Sequence, residues 1–293
     1  MNSQNTTIRT AAAAERRKMR SERLALLRRN PAFLIGSVLV SIWVFAALFG
    51  QFLVPIKPEE LDFMATDMGP SSAHWFGTDT LGRDVFSRVV VGSRPIIVMA
   101  FCATILGTIV GTTIGLLTGY YKGKFDLIVM RILDAISALP VLILALLALA
   151  AVGGSSEVVT ILIIGFVFSP IIARTVRATV LGEAELDYVA AAKLRTEKTR
   201  HILFIEILPN VLPPIIVEFT IRLGYAVFAI ATLSFLGVGV ELGSPNCGSQ
   251  VSENYSGIFN NLWWSTVFPA GAIATLAIGI NLLADGIMES FEL

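Results

Sequence analysis

Cysteine and histidine are nearly absent from this chain, with two of each in 293 residues. Cys102 and Cys247 stand too far apart to read as a disulfide framework. Charge is also scarce, at 15% of residues against about 25% in an ordinary soluble domain. Lys plus Arg and Asp plus Glu number 22 each, so nothing argues for a nucleic acid or other polyanion as partner. A phosphate loop is missing too. Its nearest approach is Gly119 to Lys124, where Gly123-Lys124 runs into Phe125 and the G-x-x-x-x-G-K-[ST] spacing fails. No nucleophile–base pair or ligand cluster emerges, so no catalytic residue and no metal site is expected. Energy for any work then comes from an ion gradient or from another subunit. What the chain has in excess is apolar surface, 55% of residues. That excludes disorder and favours one polytopic membrane domain.

Spanning a hydrocarbon core takes about 20 residues of helix. Six segments qualify by length and hydropathy: 33–54, 95–119, 127–152, 158–173, 209–240 and 266–284. The expected organisation is a basic N-terminal arm over residues 1–30 and a single transmembrane domain over 31–293. The arm reads as part helix from Ala11 to Arg29, resting on anionic headgroups. A cleaved signal peptide is the weaker reading, because its apolar core would be about 7–15 residues.

Basic loops stay in the cytoplasm. With the N-terminus inside, residues 1–32 hold eight Lys or Arg, the loop after the second span holds Lys122 and Lys124, and 174–208 holds six more. The outer loops hold only Lys57, Arg83, Arg88 and Arg94. Sixteen against four places both termini in the cytoplasm. His74 and His201 then fall on opposite sides of the bilayer and cannot share a metal.

Within the second span Gly107, Gly111, Gly115 and Gly119 recur every fourth residue. Such a stripe lets another helix approach backbone to backbone. In the fifth span Glu218 and Arg222 stand at i,i+4. A lone charge at that depth costs at least about 2.5 kcal/mol, so the pair is expected to face the bundle interior, as a structural ion pair or as part of a translocation path. Asp134 is expected to pair with Arg131. In the outer loop, Asp79 to Arg94 reads as a helix leading into the second span, with Asp84 and Arg88 as an i,i+4 pair. It either orients that span at the interface or receives a partner. Trp263 and Trp264 read as interface anchors.

Residues 174–208 form an unusually long loop, and long loops tend to be functional. Within it Tyr188, Ala191, Ala192 and Arg195 recur at i, i+3, i+4 and i+7, with Asp187 placed as an N-cap. A solvated surface helix and a helix docked in a protein groove both fit this pattern.

A resemblance separates them. Asp187-Tyr-Val-Ala-Ala-Ala-Lys193 through Ile207-Leu-Pro-Asn210 resembles the EAA loop of ATP-binding-cassette importer permeases. His74-Trp-Phe-Gly-Thr-Asp-Thr-Leu-Gly-Arg-Asp-Val-Phe-Ser-Arg88 is similar to the G-T-D-x-L-G-R-D-x-x-S-R signature of the dipeptide/oligopeptide/nickel permeases. Met130 to Asp134 with Pro140, Leu233 to Gly239 and Asn281 to Gly286 follow in order. The resemblance is to the second, C-type permease of the pair. It implies an all-α transmembrane domain of the type I importer class, in the bacterial cytoplasmic (inner) membrane. It also implies a coupling helix from Tyr188 to about Thr199, with Asp187, Tyr188, Ala190, Ala191, Ala192, Arg195, Thr196 and Pro209 as ATPase-coupling positions. The implied partners are a second homologous permease, two ATP-binding-cassette ATPases, an extracytoplasmic solute-binding protein and the lipid bilayer. No cofactor is expected on this chain, with ATP and Mg on the ATPases.

Three positions depart from the pattern: Ala190 replaces a glutamate, Thr196 a glycine and Glu206 an isoleucine. Without glycine at 196 the coupling helix is expected to run on. The reading is a permease subunit of an ATP-driven importer, most consistent with di- or oligopeptides. Nickel chelates, glutathione or sugars are alternative cargoes. The rival classes are an ion-gradient-driven secondary transporter, with Glu218 and Asp134 as relay carboxylates, and a membrane-embedded enzyme.

Overall fold

The computed structural model describes residues 27–152, 156–240 and 243–291; most of the anticipated basic arm lies outside them. The regular elements among the described residues are all helices, and their single β-bridge joins Thr78 to Asp84 in the irregular stretch before residue 85. In chain order the helices are α1 (Pro31–Leu53), α2 (Val85–Tyr121), α3 (Gly123–Ser137), α4 (Val141–Val152), α5 (Glu157–Glu183), α6 (Asp187–Leu194), α7 (Thr199–Phe235), α8 (Cys247–Asn254) and α9 (Trp264–Phe291). Five of these, α1, α2, α5, α7 and α9, are long and apolar enough to cross a membrane. The count becomes six only if α3 and α4 are taken together.

That pair covers the third anticipated span, 127–152, and is broken within it: α3 and α4 meet at 86°. Pro140 lies at the break, where it removes a ladder donor and pushes Leu139 out of helical geometry.

The second span is also longer than anticipated. α2 begins at Val85, ten residues before Pro95, and its 37 residues extend about 55 Å at helical rise. It does not begin at Asp79, because the Asp79 carboxylate accepts from the backbone N–H groups of Leu81 and Arg83 and holds a tight turn. Gly82 sits in that turn at φ +74°, where a Cβ would lie 1.8 Å from the Asp62 carbonyl oxygen. Asp84 then caps the helix, accepting from Ser87 N–H at 2.8 Å. At the other end Lys122 and Gly123, both at positive φ, reverse the chain into α3. α5 outruns its anticipated end at 173 and continues to Glu183.

α7 opens with a π-turn over Ile202–Ile207, in which Leu208 N–H donates to the Leu203 carbonyl five residues back. Pro209 follows directly and has no N–H to give the Ile205 carbonyl, so the regular i−4 ladder cannot form there. α7 stops at Phe235, short of the anticipated 240, where the chain turns through Gly237.

Two buried clusters fill the bundle. Near the Asp84 end of α2, Val89, Ile96, Met99 and Ala103 meet Val227, Ile230 and Leu233 of α7 and Leu276 and Ile280 of α9. Near the Lys122 end, Leu116 packs with Ile172, Val176 and Val180 of α5, and with Val189, Ala192, Ile202, Leu203 and Ile207. α6 is therefore packed into the bundle base and does not hang from it. α1 is peripheral and leans on α9 through Gly36, whose Cβ would lie 2.7 Å from the Gly279 carbonyl oxygen.

Candidate functional site

The segment joining α5 to α7 is built around α6. Leu186, and not Asp187, is its N-cap, so the anticipated Asp187 cap is displaced by one residue. Asp187 is the first helical residue, where its carboxylate favours the positive end of the helix dipole. Tyr188 turns back toward α5 and its hydroxyl donates to Glu183 Oε2 at 2.6 Å. Burial, followed by that hydrogen bond, raises the Tyr188 pKa above the usual phenol value. Lys193 Nζ lies 5.0 Å from the centre of the Tyr120 ring at the end of α2.

The expected run-on past residue 194 does not occur. Thr196 adopts φ 55°, the conformation a glycine would supply. Thr196 N–H donates to the Lys193 carbonyl at 2.9 Å and Glu197 N–H to the Ala192 carbonyl at 3.2 Å. Together these bonds form a complete Schellman end. Left-handed geometry costs a non-glycine residue about 1–2 kcal/mol, so Thr196→Gly is expected to stabilise the chain by about 1 kcal/mol. Thermal unfolding in detergent checks this, and a lowered midpoint would contradict it.

Of the small-residue face read from the sequence, Ala192 points inward together with Val189, while Arg195 is exposed beyond the helix end. The outward ridge is instead Leu186, Ala190 and Leu194, one turn apart each. Leu194 is 86% exposed. Sequence reasoning overlooked Leu186 and Leu194, although their i, i+4, i+8 spacing with Ala190 was available. Pro209 is exposed just past the π-turn.

The glycine stripe lies along α5. A Cβ on Gly107 would stand 2.8 Å from the Gly165 carbonyl oxygen, and one on Gly111 would stand 2.7 Å from that of Ser169. At Gly115 and Gly119 the nearest atoms belong to Val176 and Val180. On α7, Arg222 Nε donates to Glu218 Oε1 at 2.6 Å, and Glu218 is 8% exposed. The Arg222 guanidinium also lies 5.2 Å from the Tyr225 ring centre.

Two anticipated pairings are replaced. Asp134 meets Arg174 of α5 at 3.2 Å and not Arg131, because α3 lies against α5. Nearer the Lys122 end of the same seam Asp126 takes a bidentate pair from Arg177 at 2.5 and 2.6 Å. At the opposite end of α2, Asp84 does not bind Arg88. Its carboxylate is occupied by Ser87 and by His74 Nδ1 at 3.0 Å. Arg88 points instead to Glu253 of α8 at 3.3 Å. Arg83 bridges Asp79 and Glu253, each at 2.6 Å. These groups form a largely buried charged knot between the start of α2 and α8. The Gln250 side-chain amide adds a bond to the Arg88 carbonyl at 2.9 Å. Cys247 lies beneath it, and burial pushes its thiol up to about 12, too high for a nucleophile. Trp264 is also a strut, since its indole N–H donates to the Thr78 carbonyl at 3.0 Å.

A bundle of membrane-length helices, sealed by a glycine seam and presenting a short helix with an unpartnered apolar ridge, defines a multi-pass transport subunit. The chain belongs to the family described as binding-protein-dependent transport system inner membrane components, whose model matches residues 111–292. Residues 21–70 match the N-terminal transmembrane domain of oligopeptide transport permease C. It is the permease subunit of an ATP-binding-cassette importer, which works with ATPase and substrate-binding partners. A probable D,D-dipeptide transport system permease of Escherichia coli is 35% identical, over 91% of this chain and 89% of the relative. A dipeptide transport permease of Alkalihalophilus pseudofirmus is 34% identical over 91% and 87%. A glutathione transport permease of Pectobacterium atrosepticum is 35% identical over 91% and 88%. The fold resembles a chain of the inward-facing MetNI methionine transporter, with a TM-score of 0.56 and 21% identity over 69% of this chain and 95% of that one.

Proposed function

We propose that the chain is one of two homologous permeases of a peptide importer. In this reading both termini are cytoplasmic, and the α6 end meets a pair of ATPases that hold ATP and Mg. The charged knot at the far end of α2 faces the binding protein. The substrate class is supported by the dipeptide relatives, with the glutathione permease a peptide transporter in the wider sense. Glu218 and Arg222 are the candidate polar lining of the translocation path, shared with the second permease.

The observation that carries the reading is the α6 ridge. Leu186, Ala190 and Leu194 are exposed on a helix whose opposite side is packed into the bundle by Val189 and Ala192. A rigidly backed apolar ridge among charges suits a groove on a soluble partner. Ala190, lacking the carboxylate of the family pattern, makes the contact apolar here. Leu194→Glu is expected to cut ATP-driven peptide uptake at least about tenfold, the size of an interface hot spot. The test is uptake in proteoliposomes of the assembled complex, alongside ATPase retention on the purified permease pair. Unchanged uptake with the glutamate in place would refute this docking surface.

A further inference from the structure

The seat of α8 on α2 and α7 is buried but incompletely hydrogen-bonded. Five side-chain atoms in it are screened from solvent and have no hydrogen-bond partner among the described residues: Arg88 Nε and Nη1, Ser234 Oγ, Asn246 Nδ2 and Asn254 Oδ1. The four residues are at most 3% exposed. Asn246 caps α8, Asn254 ends it, and Ser234 of α7 lies against Gly248 of the same helix. Buried polar groups left unmatched are costly, so α8 is held less firmly than its burial alone would make it. Its tethers are pliant as well. On the α7 side Gly237 and Gly243 stand at positive φ with nothing within 4 Å of an added Cβ, and on the α9 side Asn261 is left-handed.

Arg88 is the centre of the mismatch. Its guanidinium is 1% exposed, yet only Nη2 is engaged, with Glu253 Oε2 at the long distance of 3.3 Å. Asp79 Oδ2 stands 4.0 Å from Arg88 Nε, because Arg83 Nε already takes that oxygen at 2.6 Å. The knot thus sets two guanidinium groups against two carboxylates, and the two acids differ. Asp79 is fixed in its backbone turn. Glu253 rides on α8 and is the acid that solvent reaches, at 32% exposure.

Lifting α8 takes Glu253 away and leaves two buried cations with Asp79 alone, a strongly unfavourable state. An external carboxylate in the place of Glu253 restores the balance of charge. Arg88 suits the exchange, because the fork of Nε and Nη2 can hold a carboxylate by two parallel bonds and here makes only one long one. We propose that Glu253 is a resident stand-in for the terminal carboxylate of an incoming peptide, and that exchange of the two carboxylates on Arg83 and Arg88 releases α8. The proposal rests on the peptide reading and adds which end of the peptide is recognised, and where.

The test is hydrogen–deuterium exchange of residues 244–262 in the assembled complex without binding protein. The probe is alanylalanine, and alanylalaninamide is the control that lacks only the carboxylate. Alanylalanine should speed exchange of the α8 amides in a saturable way, and the amide should leave them at the ligand-free rate. In a Glu253→Gln complex α8 should exchange faster without ligand. The half-saturating concentration of alanylalanine should then fall at least about tenfold, the worth of one charge-assisted hydrogen bond no longer competed for. Arg88→Lys keeps the charge but lacks the fork and should raise that concentration by a similar factor. An equal response to acid and amide would overturn the proposal, as would a response to neither. Release of α8 by ligand-free binding protein, with no effect of peptide, would also overturn it and assign the incoming carboxylate to that protein. Uptake of alanylalanine in proteoliposomes with α8 indifferent to it would remove this site and leave the peptide reading standing. A normal exchange response without uptake of any peptide would do the reverse.

Discussion

Gly111→Leu is expected to leave little monodisperse protein after extraction. A Cβ at that position would stand 2.7 Å from both the Ile172 Cβ and the Ser169 carbonyl oxygen. Neither is the free end of a flexible side chain. The two helices would have to separate, and separation exposes Gly107, Gly115 and Gly119, which have no side chains to fill the gap. Overpacking in cores costs about 1–3 kcal/mol, and leucine at a backbone-to-backbone contact belongs at or above the top of that range. Gly182→Ala is the control, because nothing lies within 4 Å of its added methyl group. That change is expected within about 0.5 kcal/mol of wild type. Size-exclusion yield and thermal midpoint read both variants, and a well-behaved Gly111→Leu protein would mean that α2 and α5 do not pack as described.

Asp79→Ala is expected to destabilise by about 3–5 kcal/mol, the usual result of breaking a buried ion pair from one side. The carboxylate is 1% exposed and holds the Leu81 and Arg83 N–H groups together with Arg83 Nε. Removing it orphans two backbone donors and leaves the Arg83 and Arg88 guanidinium groups with Glu253 alone. Asp79→Asn keeps an acceptor for the turn and loses only the charge, so it should recover part of the stability. Thermal unfolding ranks the three proteins. Limited proteolysis of residues 54–84 locates the damage, and equal midpoints for alanine and wild type would remove the knot's structural role.

The elements most legible in the sequence are those written in short-range periodicity. Four glycines at a spacing of four announce a close helix contact, and the long loop before α7 announces a displayed helix. The spans are legible from hydropathy, but their ends are not. The start of α2 depends on an aspartate turn and a cap, and the end of α5 depends on where α6 packs. The charged knot is invisible to local pattern because Glu253 is 170 residues from Arg83. Asp84 and Arg88 have favourable helical spacing, yet Asp84 is spent on capping and the pair does not form. The end of α6 misleads for a different reason: three backbone hydrogen bonds, including Arg195 N–H to the Ala191 carbonyl at 3.0 Å, hold a threonine where glycine is the usual residue.

The glycine seam also bears on mechanics. With no side chains from α2 at the four glycines over three turns of contact, α2 and α5 lack the two-sided compliant layer that lets packed helices slide past each other. Sliding would drive Ile172, Val176 and Val180 against the α2 backbone, so the two helices behave as a single beam. α6 is wedged against one end of that beam by Val189 and Ala192, and the Arg83–Arg88 knot is bolted to the other. A push on the small helix is thus expected to arrive at the far face of the bundle as a tilt of the whole beam.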